Sequence, residues 1–312
     1  HLTDWLSNKK VSKEQLKTIL WSLRNVTNGG QISVAYNIAK SLVKILTEIS
    51  KRPDLTINHY NDCFWILANL ADDISDQRKI DLIVNTSGFL DYLFYIFLEE
   101  SWDELHSSVL RLIGNIAVGL DRHTDALLEN EKFDAVLLEA MNSESHKGEI
   151  AWILSNIAAG QTRHVQYLLD HPTVYRWMRE SIFSEEKRLR KESLWIVANL
   201  LSTSTDEQLE TLVSDGITVT ISQLFEANDM RLNEKGILAA QRIVRDFPYQ
   251  RIIFDRFKIL SKLNPGYLEE GAPPLFASCV RTIEQLMIGW RVEDYKGATE
   301  TIVYTRMPTF TE

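Results

Sequence analysis

The stretch "AWILSNIAAG" at 151–160 is nearly repeated by "LWIVANLLST" at 194–203. A helix made from either one puts its Trp and its Asn on a single face, one turn apart, because residues four apart are neighbours on a helix surface. Three more copies keep the phase: "LWSLRNVTNG" (20–29), "FWILANLADD" (64–73) and "LRLIGNIAVG" (110–119). The aligned Asn residues are 25, 69, 115, 156 and 199, at steps of 44, 46, 41 and 43, and a weaker copy, "GILAAQRIVRD" (236–246), puts Gln241 another 42 on.

Between copies the sequence reads as helices separated by short breaks. After "NIAAGQTRHV" come "QYLLD", "HPTVYRWMRESIF" and the polar "SEEKRLRKES", with Gly119, Gly160, Pro172, "NTSG" at 85–88 and "SDG" at 214–216 as punctuation. Strand signals are nearly absent. A period of about 40–47 residues with two or three helices predicts an all-α armadillo or HEAT solenoid, in which each repeat buries its apolar face only by stacking on its neighbours. The expectation is a right-handed superhelical armadillo array of about six to seven repeats with a concave peptide-binding groove. Residues 1–245 would carry the Trp-x-x-x-Asn ladder, 246–295 one or more divergent repeats interrupted by Pro and Gly, and 296–312 an extended or disordered tail.

Composition agrees with such an array. The 312 residues are 45% hydrophobic and 25% charged, enough to bury a substantial core. No run of about 18 apolar residues is present, and the opening "HLTDWLSNKK" lacks a leader pattern, so a soluble protein is expected. Cys63 and Cys279 sit in apolar segments and read as core thiols, which excludes a disulfide framework or a Cys metal site. The net charge of −9 argues against a nucleic-acid partner and favours a basic one.

Stacked repeats would turn the Trp-Asn patches into a ladder. Packed helices lie about 8–10 Å apart and an extended peptide advances about 3.3 Å per residue, so each rung serves roughly two or three peptide residues. The Asn amide offers both a donor and an acceptor to an extended backbone, and the Trp face attracts Lys or Arg and buries their aliphatic stems. Three residues before the aligned Trp position stand Asp62 (Trp65), Glu149 (Trp152), Glu192 (Trp195) and Glu234 (Ile237), whereas Trp21 and Arg111 have Thr18 and Ser108. Two readings stay open: a Trp at helical spacing also suits a core, and a recurrent mid-helix Asn is either a hydrogen bond within the array or a ligand contact.

Residues 10–245 resemble the importin-α family of nuclear import adaptors. "CFWILANLADD", "LRLIGNIAVGLDRHTDALLE", "KGEIAWILSNIAAGQ" and "KESLWIVANLL" each resemble one successive family repeat, and Arg111 stands where an interior family repeat has Arg in place of Trp. The resemblance implies a minor-site-like set of Arg111, Asn115, Glu149, Trp152, Asn156, Glu192, Trp195 and Asn199, lined by Gly119, Thr124 and Ser155. It implies a residual major-site-like set of Trp21, Asn25, Asp62, Trp65 and Asn69. The family's earlier repeats and its basic importin-β-binding segment have no counterpart in the sequence; importin-β and the export receptor are partners by resemblance alone, as is shuttling between cytoplasm and nucleus.

No phosphate loop, zinc motif or nucleophile elbow is present, so neither catalysis nor a metal or other cofactor is expected. The seven His are scattered and read as surface residues. The expected function is a cargo adaptor for Lys/Arg-rich nuclear localisation signals, with no membrane partner. The alternative is a catenin-like armadillo scaffold for another protein, which predicts a basic groove where these Trp residues have acidic neighbours.

Overall fold

A computed structural model describes residues 11–28, 33–73, 75–269 and 273–288, so the expected tail at 296–312 lies outside the described residues. Among the described residues the chain is all-α and has no strand. It divides into two compact units, His1–Gly160 and Gln161–Glu312. No single described helix is long and apolar enough to cross a membrane.

The first unit contains α1 (Lys13–Thr27), α2 (Tyr36–Ile49), α3 (Ile57–Ala71), α4 (Arg78–Val84), α5 (Phe89–Leu98), α6 (His106–Val118), α7 (Asp121–Leu128), α8 (Phe133–Asn142) and α9 (Lys147–Ala158). The four helices that carry the ladder positions are α1, α3, α6 (with Arg111 in the Trp position) and α9, and each packs on the next. Their inward positions fill the core with Leu20, Leu67, Ile113 and Ile153. Behind them α5 meets α8, where the Phe94 and Phe133 rings lie 5.6 Å apart. Each helix thus finds its apolar partner in an adjacent repeat, as a solenoid requires.

The second unit contains α10 (Thr162–Asp170), α11 (Pro172–Ser181), α12 (Lys187–Thr203), α13 (Asp206–Ser214), α14 (Ile221–Glu226), α15 (Met230–Asp246), α16 (Arg251–Arg256) and α17 (Pro274–Met287). Here α12 packs on α15 and α15 on α17. The stretch from 259 breaks the pattern as two 3₁₀ turns, Ile259–Lys262 and Pro265–Leu268, before α17 resumes it.

Local chemistry sets the helix ends. Gly88 and Gly216 adopt left-handed φ of 66° and 86° just before a helix, a conformation in which a β-carbon is strained, and they account for the "NTSG" and "SDG" breaks. At α1 Ser12 and Gln15 form a reciprocal capping box: Gln15 N–H donates to Ser12 Oγ at 3.2 Å, and Ser12 N–H to Gln15 Oε1 at 3.0 Å.

Three other helices cap themselves with histidine, which corrects the reading of His as surface residues. His59, His123 and His164 are buried. Each occupies the third position of its helix, and its Nδ1 accepts the N–H of the residue before the helix: Thr56 at 3.3 Å, Leu120 at 3.0 Å and Gln161 at 3.1 Å. With Nδ1 accepting, the neutral ring carries its proton on Nε2. In His59 that nitrogen donates to Lys13 O at 3.0 Å, and in His123 to Asp81 Oδ1 at 2.9 Å, each in an earlier helix. Gln208 does the same in α13: its Oε1 accepts Thr205 N–H and its Nε2 donates to Thr162 O at 2.8 Å. Buried rings need such partners, and both ring nitrogens of His59 and of His123 have one.

Candidate functional site

The ladder forms first from helix phase. In α1, α3, α6 and α9 the apolar residues face the core, and the Trp and Asn phases fall at the edge of that face. Trp21 and Asn25 on α1 are exposed, Trp21 to 59%. Trp65 and Trp152 are half-buried, because a side chain from the preceding ladder helix covers one side of each indole.

What covers them is arginine. Arg24 of α1 places its guanidinium carbon 5.2 Å from the centre of the Trp65 ring, and its Nη1 donates to Asp62 Oδ1 at 3.1 Å. Arg111 of α6 places its guanidinium carbon 4.9 Å from the centre of the Trp152 ring. Its Nε lies 3.1 Å from Glu149 Oε1 as an ion pair, and its Nη2 donates to Glu149 Oε2 at 3.4 Å. Asp62 and Glu149 are buried, while the two arginines stay partly open to water. A planar cation stacked on an indole and held by a carboxylate gains from both the ring quadrupole and the charge.

The indole of Trp152 also rests on backbone. A β-carbon added at Gly114 would come within 2.0 Å of the ring, so only glycine admits the indole there. Nothing in the sequence around Gly114 singled it out, since its reason is a ring from a later repeat.

The Asn residues are partly engaged inside the stack. Asn69 Nδ2 donates to Thr27 Oγ1 at 3.0 Å and Arg24 O at 3.4 Å, and Asn115 Nδ2 donates to Ala68 O at 2.9 Å, each tying its helix to the preceding one. Asn156 Nδ2 turns back to Trp152 O at 3.0 Å within α9. The Nδ2 donors of Asn69, Asn115 and Asn156 thus bond within the array. The amide oxygens of these three residues accept no hydrogen bond among the described residues.

The residues named as pocket lining have internal partners. Thr124 is buried with Oγ1 3.4 Å from Ala117 O, and Ser155 Oγ donates to Trp152 O at 2.8 Å. At Gly119 a β-carbon would lie 2.3 Å from His123 Nδ1, so glycine there makes room for the capping ring. In the second unit Trp195 and Glu192 are half-buried and Asn199 is buried, all on α12.

No protein-family model matches the chain. Among curated proteins, importin subunit alpha-2 of Caenorhabditis elegans is 25% identical over 148 residues, 47% of this chain and 27% of that protein, so the match spans about a quarter of the relative's length. Solved structures that resemble it include a designed armadillo repeat protein in complex with the peptide (KR)4, with TM-score 0.62 at 18% identity, covering 79% of this chain and 99% of that one. A second designed armadillo repeat protein also gives 0.62, at 17% identity over 76% of this chain and 96% of that one. A computationally designed armadillo protein for modular peptide recognition gives 0.59 at 16% identity, over 84% and 98% of the two chains. The fold is that of an armadillo-repeat α-solenoid.

Proposed function

We propose that this chain is a peptide-binding armadillo scaffold that takes up Lys/Arg-rich extended segments of the nuclear-localisation-signal type. The observation that carries the reading is that two Trp-carboxylate rungs each hold a guanidinium, Arg24 at Trp65 and Asp62 and Arg111 at Trp152 and Glu149. These rungs therefore have the chemistry a basic peptide side chain needs. Trp152, Trp195, Glu149 and Glu192 would hold the ligand's cations. The amide oxygens of Asn115 and Asn156, with Asn199, would meet its backbone N–H groups. Residues 1–245 would carry this ladder and 246–295 would close the array. The resemblance to importin-α supports a cargo adaptor moving between cytoplasm and nucleus, with importin-β and the export receptor as partners, and a binding rather than a catalytic role.

The test is titration of a fluorescent Lys/Arg-rich octapeptide against wild type and a Trp195→Ala, Asn199→Ala double variant at two salt concentrations. Loss of a cation–π contact and a backbone hydrogen bond weakens binding by at least about tenfold, and binding weakens as salt rises. Unchanged affinity in the double variant sinks the assignment.

A second reading, a catenin-like scaffold for another protein, draws on the internal bonding of the Asn donors and on the arginines that line the first unit's rungs. It predicts that an acidic peptide outcompetes the basic one.

A further inference from the structure

The two filled rungs reach one geometry from two different sequence positions. Arg24 stands one residue before Asn25, where the other copies have Ala68, Gly114, Ser155 and Ala198. Arg111 stands four residues before Asn115, where the other copies have Trp. Both side chains nonetheless end over the Trp of the next Trp/Asn-bearing helix and against the carboxylate three residues before that Trp. Sequence position alone does not bring this about. The shared feature is the slot, which accepts one stacked cation and is filled by whichever neighbour can supply it.

We infer that Arg24 and Arg111 are resident cations in the slots that a ligand's basic side chains would enter, and that a basic peptide binds these rungs by displacing them. The inference rests on the basic-peptide reading above and adds a competition that the reading does not require. Its physical basis is space and charge. Each guanidinium already lies over its ring, 5.2 and 4.9 Å from the ring centre, so a second cation cannot share that face, and two cations beside one carboxylate repel. Displacement is feasible because Arg24 and Arg111 keep 36% and 39% of their side-chain surface in water and sit on long flexible stems. A planar guanidinium is also the harder group for Lys to replace, since Lys brings a compact, strongly hydrated ammonium without the stacking plane. Arg-rich ligands are therefore favoured over Lys-rich ligands at these two rungs.

The experiment uses the full chain and a fluorescent (Lys-Arg)4 octapeptide, read by anisotropy, with wild type, Arg24→Gln, Arg111→Gln and the double variant. Gln keeps most of the stem and removes the charge. Each single substitution is expected to tighten binding about three- to tenfold, and the double to tighten it further. A second readout needs no substitution: the Nε–H signals of Arg24 and Arg111, displaced by the indole ring current in the free protein, move to solvent-exposed positions as the peptide saturates.

If the octapeptide binds wild type but the Gln variants bind equally or more weakly, or the two signals stay ring-shifted at saturation, the resident-cation inference is overturned and the basic-peptide reading stands. If the octapeptide binds neither wild type nor the double variant, the basic-peptide reading fails and the inference falls with it.

Discussion

Gly114 shows how much at single residues depends on distant partners. In an exposed helix interior Gly→Ala gains about 1 kcal/mol from propensity. Here the new methyl would enter the Trp152 ring, and overpacking costs typically about 1–3 kcal/mol. Gly114→Ala is expected to destabilise the first unit in urea unfolding and to move the indole away from Arg111; a stabilised protein refutes the packing account. Asn115→Ala is expected to lose about 1 kcal/mol in the same assay, through the bond to Ala68 O. The sequence made the phase of Trp and Asn legible because that phase recurs. It could not show where the Asn donors end, or that Arg24 reaches Trp65, because those partners come from the preceding repeat and follow no local spacing.

Helix capping is the element-scale feature that sequence patterning under-read. His123 and His164 stand 41 residues apart, the same step as Asn115 to Asn156, so the repeat phase did contain a signal. A lone His carries no standard start-of-helix meaning, unlike the Ser12 and Gln15 pair, and its role appears only once Nδ1 is seen accepting the preceding N–H. Gln208 already performs this role in α13, which suggests the conservative exchange. His123→Gln is expected to keep stability within about 1 kcal/mol of wild type, whereas His123→Ala loses about 1–3 kcal/mol through the missing cap and the unfilled volume. Equal losses in chemical denaturation would show that the ring packs without capping. The helix breaks were more legible, since Gly88 and Gly216 mark turns that their left-handed φ explains.

At the scale of the whole molecule, buried histidines and paired carboxylates make stability depend on pH. Burial pushes His106, His123 and His146 below the usual histidine range, and His146 is lowered further by neighbouring His106, whose ring centre is 5.5 Å away. A depressed folded-state value means the unfolded chain binds more protons. Stability is therefore full above the unfolded value near pH 6.5 and declines as pH falls through and below it. A second decline follows at lower pH, because the Arg122 guanidinium and the His123 ring hold Asp81 down to about 2, so its protonation removes stability between roughly pH 4 and 2. Thermal unfolding midpoints at pH 7.5 and 5.5 check the first step. A lower midpoint at pH 5.5 is expected, with a smaller drop in a His123→Gln, His146→Gln variant; a midpoint that rises on acidification contradicts it.

The two nitrogens of His123 serve different repeats, and a single proton treats them oppositely. Once Nδ1 is protonated it no longer accepts from Leu120 N–H, so the first turn of α7 loses its anchor. The Nε2–H stays directed at Asp81 on α4 and now carries positive charge toward it. Mild acid thus frays a helix start while mooring that helix more firmly to its neighbour. Amide exchange at the start of α7 is expected to accelerate in mild acid while its contact with α4 holds.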